Sequence, residues 1–320
     1  HGNLEALTEE IFRKTFEVNV FGTWNLTMAA MPYLRESTDG HVVNITSVAG
    51  VRPMGSSIAY YEKSFDLTIS LLALLVSISI QIAVNYANDY SDGIRGTDDS
   101  RIGPVRLVAS GLKTATQVKR AALTSYFLAA LCGLALSLRT SPVLILIGAL
   151  AITAGWNYTG GKNPYGYSGF GEFSVFVFFG LVATMGSYFT QSQKITWQSL
   201  LLAIPMGALS CSILGLNNLR DRPKDELVGK KTLAVRLGDS GARKFLVALL
   251  LLAFAASLAA VTISPWALIV LVTLPFYYIL IKGISGGLTG SALVPLLGKT
   301  GELQLLTALL ITFALTLTKA

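Results

Sequence analysis

Two groups of Asp and Asn residues each follow a long apolar stretch of the sequence. The groups, which we call the first and second acidic ladders, are Asn85, Asp89 and Asp92, and Asn218, Asp221 and Asp225. Their spacings, i, i+4, i+7 and i, i+3, i+7, place each ladder on one face of a helix. Carboxylates beside lipid are costly unless they are paired or bind a metal, so two ladders together indicate a functional site. The alternative is that these Asp residues are solvated loop starts that pair with neighbouring Arg and Lys.

The residues around the ladders restrict a metal to one that takes oxygen ligands. The only histidines, His1 and His41, lie outside the hydrophobic part of the chain, and Cys132 and Cys211 lie within apolar runs. Mg²⁺ prefers carboxylate oxygens together with substrate phosphates, and as a Lewis acid it stabilises charge on a leaving diphosphate. Nearby Arg and Lys can clamp the same diphosphate. We therefore predict Mg²⁺ as the cofactor, with the four Asp residues of the ladders as catalytic groups.

The composition after about residue 66 is that of a membrane protein. Of 320 residues, 52% are hydrophobic and 13% are charged, and the mean hydropathy is positive, whereas a soluble domain carries about a quarter charged residues. Apolar windows long enough to cross about 30 Å of hydrocarbon as helices predict an all-α multi-pass membrane bundle. The eight predicted spans lie near residues 67–88, 117–138, 143–158, 172–190, 198–218, 244–262, 265–282 and 303–318.

Lys and Arg residues concentrate in the loops that follow the first and fifth predicted spans. The positive-inside rule places both loops, and with them both ladders, on the cytoplasmic side of the cell's inner (plasma) membrane. The net charge of +7 then belongs mostly to loops beside an anionic leaflet, so no nucleic-acid partner is predicted, and no protein partner is identified. Acids at the helix ends argue against a transporter or channel, whose sites usually lie at the bilayer midplane. A soluble trans-prenyl synthase also uses Asp-rich helices, but eight spans of membrane length argue against that class of protein.

Several stretches resemble the UbiA superfamily of intramembrane aromatic prenyltransferases. The first motif is Asn88-Asp-x-x-Asp92 and the second is Asp221-x-x-x-Asp225, and the resemblance covers residues 61–320. The stretches 85–99, 155–172, 217–238 and 295–306 further resemble the branch that acts on 1,4-dihydroxy-2-naphthoate. In the 4-hydroxybenzoate branch, the first motif usually carries a third Asp where this sequence has Gly96. Here the additional acids are Asp98 and Asp99, as in the naphthoate branch.

The resemblance implies a reaction and a set of substrate contacts. A polyprenyl group would pass from its diphosphate to 1,4-dihydroxy-2-naphthoate with loss of CO₂ and diphosphate, giving demethylmenaquinol for menaquinone biosynthesis; 4-hydroxybenzoate remains the alternative acceptor. Each ladder would hold one Mg²⁺ against the diphosphate. The implied substrate-binding residues are Asn85, Asn88, Arg95, Tyr158, Lys162, Asn218, Arg220 and Lys231. For the cations a solvated or lipid-facing role stays open. Tyr158, Tyr165 and Tyr167 would line the acceptor site or belong to an interfacial aromatic belt.

Residues 1–60 form a separate segment, in which helical periodicity precedes a buried-strand pattern at residues 40–46. This short α/β fragment resembles the middle of a short-chain dehydrogenase, because Asn19, Ser47 and Tyr60 match that family's catalytic positions. Lys63 stands one place short of the required lysine, and the glycine-rich dinucleotide turn is missing. An NAD(P)-dependent oxidoreductase with a membrane anchor is therefore disfavoured, and we expect the fragment to be inert.

The number of spans gives a further expectation about residues 61–320. Members of the resembled family have nine spans, and the eight predicted here correspond to the second through the ninth. We therefore expect the prenyltransferase-like part to lack its first helix, in the place where residues 1–60 stand.

Overall fold

The computed structural model describes residues 66–96 and 106–318. Eight helices follow one another in this part of the chain. They are α1 (Leu67–Ile94), α2 (Ala115–Arg139), α3 (Val143–Asn157), α4 (Gly171–Ser192), α5 (Trp197–Leu227), α6 (Leu233–Ala259), α7 (Pro265–Ser285) and α8 (Val294–Leu317). The helix, strand and dehydrogenase-like fragment predicted for residues 1–60 lie outside the described residues.

Each predicted span coincides with one helix, which confirms the all-α membrane bundle. Seven of the eight helices are long and apolar enough to cross a bilayer, and α3, with 15 residues, is shorter. At 1.5 Å per residue α3 reaches about 22 Å, less than the hydrocarbon thickness. The chain is an integral membrane protein.

Both helices that carry the acidic ladders are longer than a membrane crossing requires. The 28 residues of α1 and the 31 residues of α5 correspond to about 42 and 46 Å, against about 30 Å of hydrocarbon. The apolar run in α5 ends near residue 218, yet the helix continues through Pro223 to Leu227. The second ladder is therefore helical throughout, on turns that extend beyond the apolar part of the helix.

Polar side chains fix where the ladder helices begin. The carboxylate of Asp66 accepts a hydrogen bond of 3.0 Å from the backbone N–H of Ile69 and so caps α1. Thr196 and Ser199 form a reciprocal capping box at the start of α5. Such caps satisfy N–H groups that have no partner within the helix. Gln191, at the end of α4, accepts from the Asp66 N–H at 2.6 Å and donates to Ser70 at 2.7 Å, which ties α1 to α4 at the end opposite the acids.

Small residues allow the helices that surround the site to approach closely. Ala83, Ala87 and Ala122 are buried between α1 and α2. Gly180 lies in a π-helical stretch of α4, and a Cβ atom there would stand 2.5 Å from the Cα of Gly207 in α5. Close contact at small residues is a usual way for membrane helices to pack, since lipid gives no hydrophobic drive between them. The α4 and α5 backbones thus fix the position of the second ladder.

Candidate active site

Lys230 joins the two acidic ladders. Its Nζ lies 3.8 Å from Oδ1 of Asp92 in α1 and 4.0 Å from Oδ1 of Asp225 in α5. Gly229 has a φ of 75°, a left-handed conformation that glycine adopts without strain, and it turns the chain back over the end of α5. The Lys230 N–H then donates to the Asp225 carbonyl at 2.8 Å. The two ladders, separate in the sequence, meet at one end of the bundle.

Tyr167 completes this meeting point from the loop between α3 and α4. Its hydroxyl donates to Asp92, and its ring lies under two cations, with the Lys230 ammonium 4.3 Å and the Arg95 guanidinium 5.4 Å from the ring centroid. The Tyr167 carbonyl accepts from the Lys231 N–H at 2.8 Å. Aromatic faces attract cations, so Tyr167, which binds Asp92, also attracts Lys230 and Arg95.

Asp89 binds the backbone of the chain that leads into α2. Its two carboxylate oxygens accept hydrogen bonds from the N–H groups of Leu107 and Val108, at 2.8 and 3.0 Å. Val108 also packs on Gly93, where a side chain would come within 2.5 Å of the valine Cβ. Asp89 is buried, whereas Asn85, one helical turn before it, is exposed. The residues of the first ladder thus lie on one side of α1 but differ in their exposure to solvent.

Asp221 pairs with its neighbour Arg220. The guanidinium Nε and one terminal nitrogen lie 2.7 and 2.6 Å from the two carboxylate oxygens. This two-pronged geometry is the strongest arrangement for such a pair. The Arg220 side chain is 2% exposed and that of Asp221 is 27% exposed, so the arginine, predicted as a substrate contact, neutralises an acid of the second ladder in this structure.

A second set of contacts ties α1 to the loop that follows α3. Thr159 donates its hydroxyl to the side-chain oxygen of Asn88 at 2.8 Å. Arg95 donates to the carbonyl of Thr159 and, at 2.5 Å, to that of Gly161. Lys162, in the same loop, is exposed. The structure thus places Asn88 and Arg95 at the meeting point, with Lys162 on the surface beside it and Lys231 exposed on the facing loop.

Glu172, at the start of α4, contacts the second ladder. Its Oε1 accepts from the side-chain amide of Asn218 at 2.8 Å. Its Oε2 is buried and has no hydrogen-bond partner within the described structure. Burial, together with the nearby Glu172 carboxylate, raises the pKa of Tyr158 above the ordinary value for tyrosine. An acid inside the bundle is costly without a partner, and Asn218 of the second ladder supplies one to Glu172.

Tyr158 and Tyr165 pack against each other, edge to face, with ring centroids 5.6 Å apart. The Tyr165 hydroxyl donates to the Ala154 carbonyl at 2.9 Å and lies 2.8 Å from the Ser174 hydroxyl. Both rings are therefore packed within the protein, near the start of α4, where Glu172 lies. That they line the acceptor site stays a prediction.

The residues at the meeting point fit a divalent cation that binds together with a substrate. Within residues 66–96 and 106–318, no three His, Cys, Asp or Glu side chains are grouped so that they could hold a metal by themselves. Two carboxylates, those of Asp92 and Asp225, do converge on one cationic group. Mg²⁺ is commonly bound by one or two carboxylates plus phosphate oxygens. The donor set matches that mode of binding.

Comparison with known proteins settles the family. Residues 53–289 match the sequence profile of the UbiA prenyltransferase family. The chain belongs to the UbiA prenyltransferase family. It is 49% identical over 246 residues to the 1,4-dihydroxy-2-naphthoate octaprenyltransferase of Mycobacterium tuberculosis, which covers 77% of this chain and 84% of that protein. The UbiA-family chain is thus a membrane prenyltransferase, as the two motifs predicted.

Solved structures agree on the fold. A UbiA homolog from Aeropyrum pernix K1 superimposes with a TM-score of 0.66 at 15% identity, covering 87% of this chain and all of that one. A UbiA homolog from Archaeoglobus fulgidus bound to DMAPP and Mg²⁺ gives 0.56 at 16% identity, covering 83% and 96%. Residues 1–61 match the profile of the short chain dehydrogenases, which confirms the resemblance of that segment.

Sequence analysis of this UbiA-family prenyltransferase missed two residues of the site. Lys230 stands in a run of loop cations, and nothing in its sequence context distinguishes it from Lys231. Glu172 did carry a signal, because it is an acid at the start of an apolar span. Only its contact with Asn218 shows which ladder it serves.

Proposed function

We propose that this prenyltransferase transfers a polyprenyl group from polyprenyl diphosphate to 1,4-dihydroxy-2-naphthoate, with Mg²⁺ and with loss of diphosphate and CO₂. The product would be demethylmenaquinol, a precursor of menaquinone. The observation that carries the proposal is the convergence of Asp92 and Asp225 on one cationic group. The surrounding cations and the exposed loop lysines give the same end of the bundle an affinity for a diphosphate.

The ladders and the cations would have different roles in binding the diphosphate. Each ladder would hold one Mg²⁺, and Asp92 and Asp225 are the members of the two ladders that face each other across Lys230. Bound there, Mg²⁺ would neutralise the negative charge that develops on the leaving diphosphate. Lys230 lies beside these carboxylates and Arg95 lies over the Tyr167 ring; both would donate hydrogen bonds to the remaining diphosphate oxygens. Lys162 and Lys231 would extend this contact from the two loops.

The bond changes balance without an added acid or base. The allylic C–O bond to diphosphate breaks, and both electrons leave with the diphosphate. The ring carbon that bears the carboxylate supplies the pair for the new C–C bond. The bond from that carbon to the carboxylate then breaks, CO₂ leaves, and the electron pair of the broken bond restores the aromatic ring. The rings of Tyr158 and Tyr165, packed together beside Glu172, would exclude water from this step, since stray water would convert the allylic cation to an alcohol.

Two observations favour the naphthoate acceptor, and one favours an active site that faces the cytoplasm. The Mycobacterium tuberculosis relative that shares 49% identity is a 1,4-dihydroxy-2-naphthoate octaprenyltransferase. Gly96 stands where the 4-hydroxybenzoate branch usually has an acid; Asp98 and Asp99, which follow it, lie outside the described residues. The loops at the acidic end are rich in Lys and Arg, which favours an active site facing the cytoplasm from the plasma membrane.

A competition assay tests the proposed function. The full chain, purified into lipid nanodiscs, would receive one labelled polyprenyl diphosphate together with equal amounts of 1,4-dihydroxy-2-naphthoate and 4-hydroxybenzoate. We expect the label in a decarboxylated naphthoquinol, and we expect its formation to stop when EDTA removes divalent cations and to resume with Mg²⁺. Preferential labelling of 4-hydroxybenzoate would overturn the acceptor, and full activity in EDTA would overturn the metal.

A further inference from the structure

We propose that Lys230 is an internal competitor of the divalent cation. In the absence of diphosphate, its ammonium group occupies the space between Asp92 and Asp225. A bound diphosphate draws the ammonium away, and the cation then enters the vacated position. The inference rests on the proposed function, because it assumes that the substrate carries a diphosphate.

The ammonium group of Lys230 lies beside one carboxylate from each of the two ladders that would hold a metal. Its ammonium lies within 4.0 Å of a carboxylate oxygen from each ladder. The three side chains are 13%, 9% and 11% exposed for Lys230, Asp92 and Asp225. In such a partly buried site charges are weakly screened. A divalent cation that entered without moving the ammonium would meet its repulsion at short range, so the two cations compete for the same oxygens.

Lys230 can leave this position without disturbing its backbone. The N–H groups of Lys230 and Lys231 are held by the carbonyls of Asp225 and Tyr167, so the main chain of the turn is fixed. The lysine side chain has four flexible carbons and an ammonium with three rotatable donors. The Tyr167 ring, 4.3 Å away, continues to attract the ammonium as it turns toward a diphosphate. Movement of the side chain alone therefore exchanges one partner for another.

The neighbouring cations do not share this placement. Arg220 is held by both oxygens of Asp221, and Arg95 donates to the carbonyls of Thr159 and Gly161. The side chain of Lys231 is exposed, although it follows Lys230 directly and carries the same charge. Lys231 is therefore the matched control, because its removal changes the net charge equally without opening the space between the ladders.

The test measures metal binding directly and does not depend on turnover. Wild-type protein, Lys230→Gln and Lys231→Gln, each in nanodiscs, are titrated with Mn²⁺ while EPR spectroscopy follows the free ion. Without diphosphate, we expect Lys230→Gln to bind Mn²⁺ about 10-fold more tightly than wild type, a usual size for coupling between two ligands. Lys231→Gln and the charge-conserving Lys230→Arg should remain near wild type.

A second arm adds a non-hydrolysable prenyl thiolodiphosphate. In wild type this compound should strengthen Mn²⁺ binding markedly, and in Lys230→Gln the strengthening should be smaller, since no ammonium remains to be displaced. Equal Mn²⁺ affinity of Lys230→Gln, Lys231→Gln and wild type in the first arm would overturn the inference. If Lys230→Gln does not fold, Lys230→Met, which is uncharged and of similar length, replaces it.

Three outcomes relate this inference to the proposed function, and the last two separate them. Mn²⁺ binding that is unaffected by Asp92→Asn and Asp225→Asn would contradict the cation site and the inference together. If wild type binds Mn²⁺ with the expected coupling but transfers no prenyl group, the role of Lys230 stands and the proposed function fails. If wild type is active and Lys230→Gln shows no gain in affinity, only the inference about Lys230 fails.

Discussion

The two acidic ladders have similar spacing in the sequence but different partners in the structure. In the first, Asp89 is buried and its oxygens accept two backbone N–H groups from residues 107 and 108. In the second, the corresponding Asp221 is partly exposed and forms an ion pair with Arg220. One ladder thus uses neutral donors from a distant part of the chain, and the other uses a cation from the adjacent residue.

The comparison also separates the members within each ladder. Asp89 accepts backbone hydrogen bonds and Asp221 pairs with its neighbour in the sequence. Asp92 and Asp225, in contrast, face each other across Lys230. Carboxylates that face each other can share a cation with a substrate phosphate, which is the usual way in which Mg²⁺ is held. We therefore propose that the members with local partners support the site and that the members that face each other form its centre.

The largest effect is expected at the two residues that face each other. Asp92→Asn and Asp225→Asn should each lower the rate of prenyl transfer by about 10³-fold, the upper range for removing one preorganised electrostatic group. The double variant should be little worse than either single one, because the residues act as a unit. Glu226→Gln is the control, since Glu226 directly follows Asp225, is exposed, and pairs with Arg222 at 3.6 Å.

The rates are measured per folded molecule in nanodiscs with saturating substrates. A rate for Asp92→Asn or Asp225→Asn close to that of Glu226→Gln would remove these residues from the centre of the site. It would also contradict the distinction between the ladder residues that face each other and the ladder residues with local partners.

A smaller effect on rate, with a difference in stability, is expected at the members with local partners. Asp89→Asn and Asp221→Asn should each lower turnover by about 10²-fold. Asp89→Asn also turns an NH₂ group toward a backbone donor, which should cost about 1–3 kcal/mol. Asp221→Asn should cost less, about 1 kcal/mol, because the Asp221 side chain is partly exposed and the Asn oxygen can still accept a hydrogen bond from the buried Arg220.

Thermal unfolding of both variants in the same detergent measures this difference. The midpoint for Asp89→Asn should fall below that for Asp221→Asn, with wild type highest. If the order is reversed, the neutral N–H donors around Asp89 contribute less than the ion pair of Asp221, and the contrast between the ladders has the opposite sign.

The smallest effect is expected at Glu172, which supports the second ladder through Asn218. Glu172→Ala removes one hydrogen bond, worth about 1 kcal/mol, and should reduce turnover roughly 5-fold. Glu172→Gln should restore the rate, since its amide oxygen can still accept from Asn218. In a double-mutant cycle, Glu172→Ala and Asn218→Ala should be strongly non-additive. Additive effects, or a Glu172→Gln variant as slow as Glu172→Ala, would show that Glu172 does not act through Asn218.

The sequence alone was sufficient for the fold class and for the two helices that carry the acidic ladders. Apolar runs of membrane length predicted all eight helices, because helices are nearly the only way for such a segment to satisfy its backbone in lipid. The Asp and Asn residues of the ladders were identifiable because acids are rare beside apolar spans. Their spacing correctly placed the ladder acids on helices, although the predicted fifth span ended before Asp221 and Asp225, which α5 includes.

Only the tertiary structure decided which partner each of these residues has. Asp89 meets the N–H groups of residues 107 and 108, and Glu172 meets Asn218, through contacts between segments that no local pattern relates. Lys230 and Lys231 are equivalent as sequence, and the turn at Gly229 aims the first between the ladders while the second stays exposed. Helix formation depends on neighbours a few residues apart, whereas the charge balance of the site depends on how the helix ends and loops pack together in space.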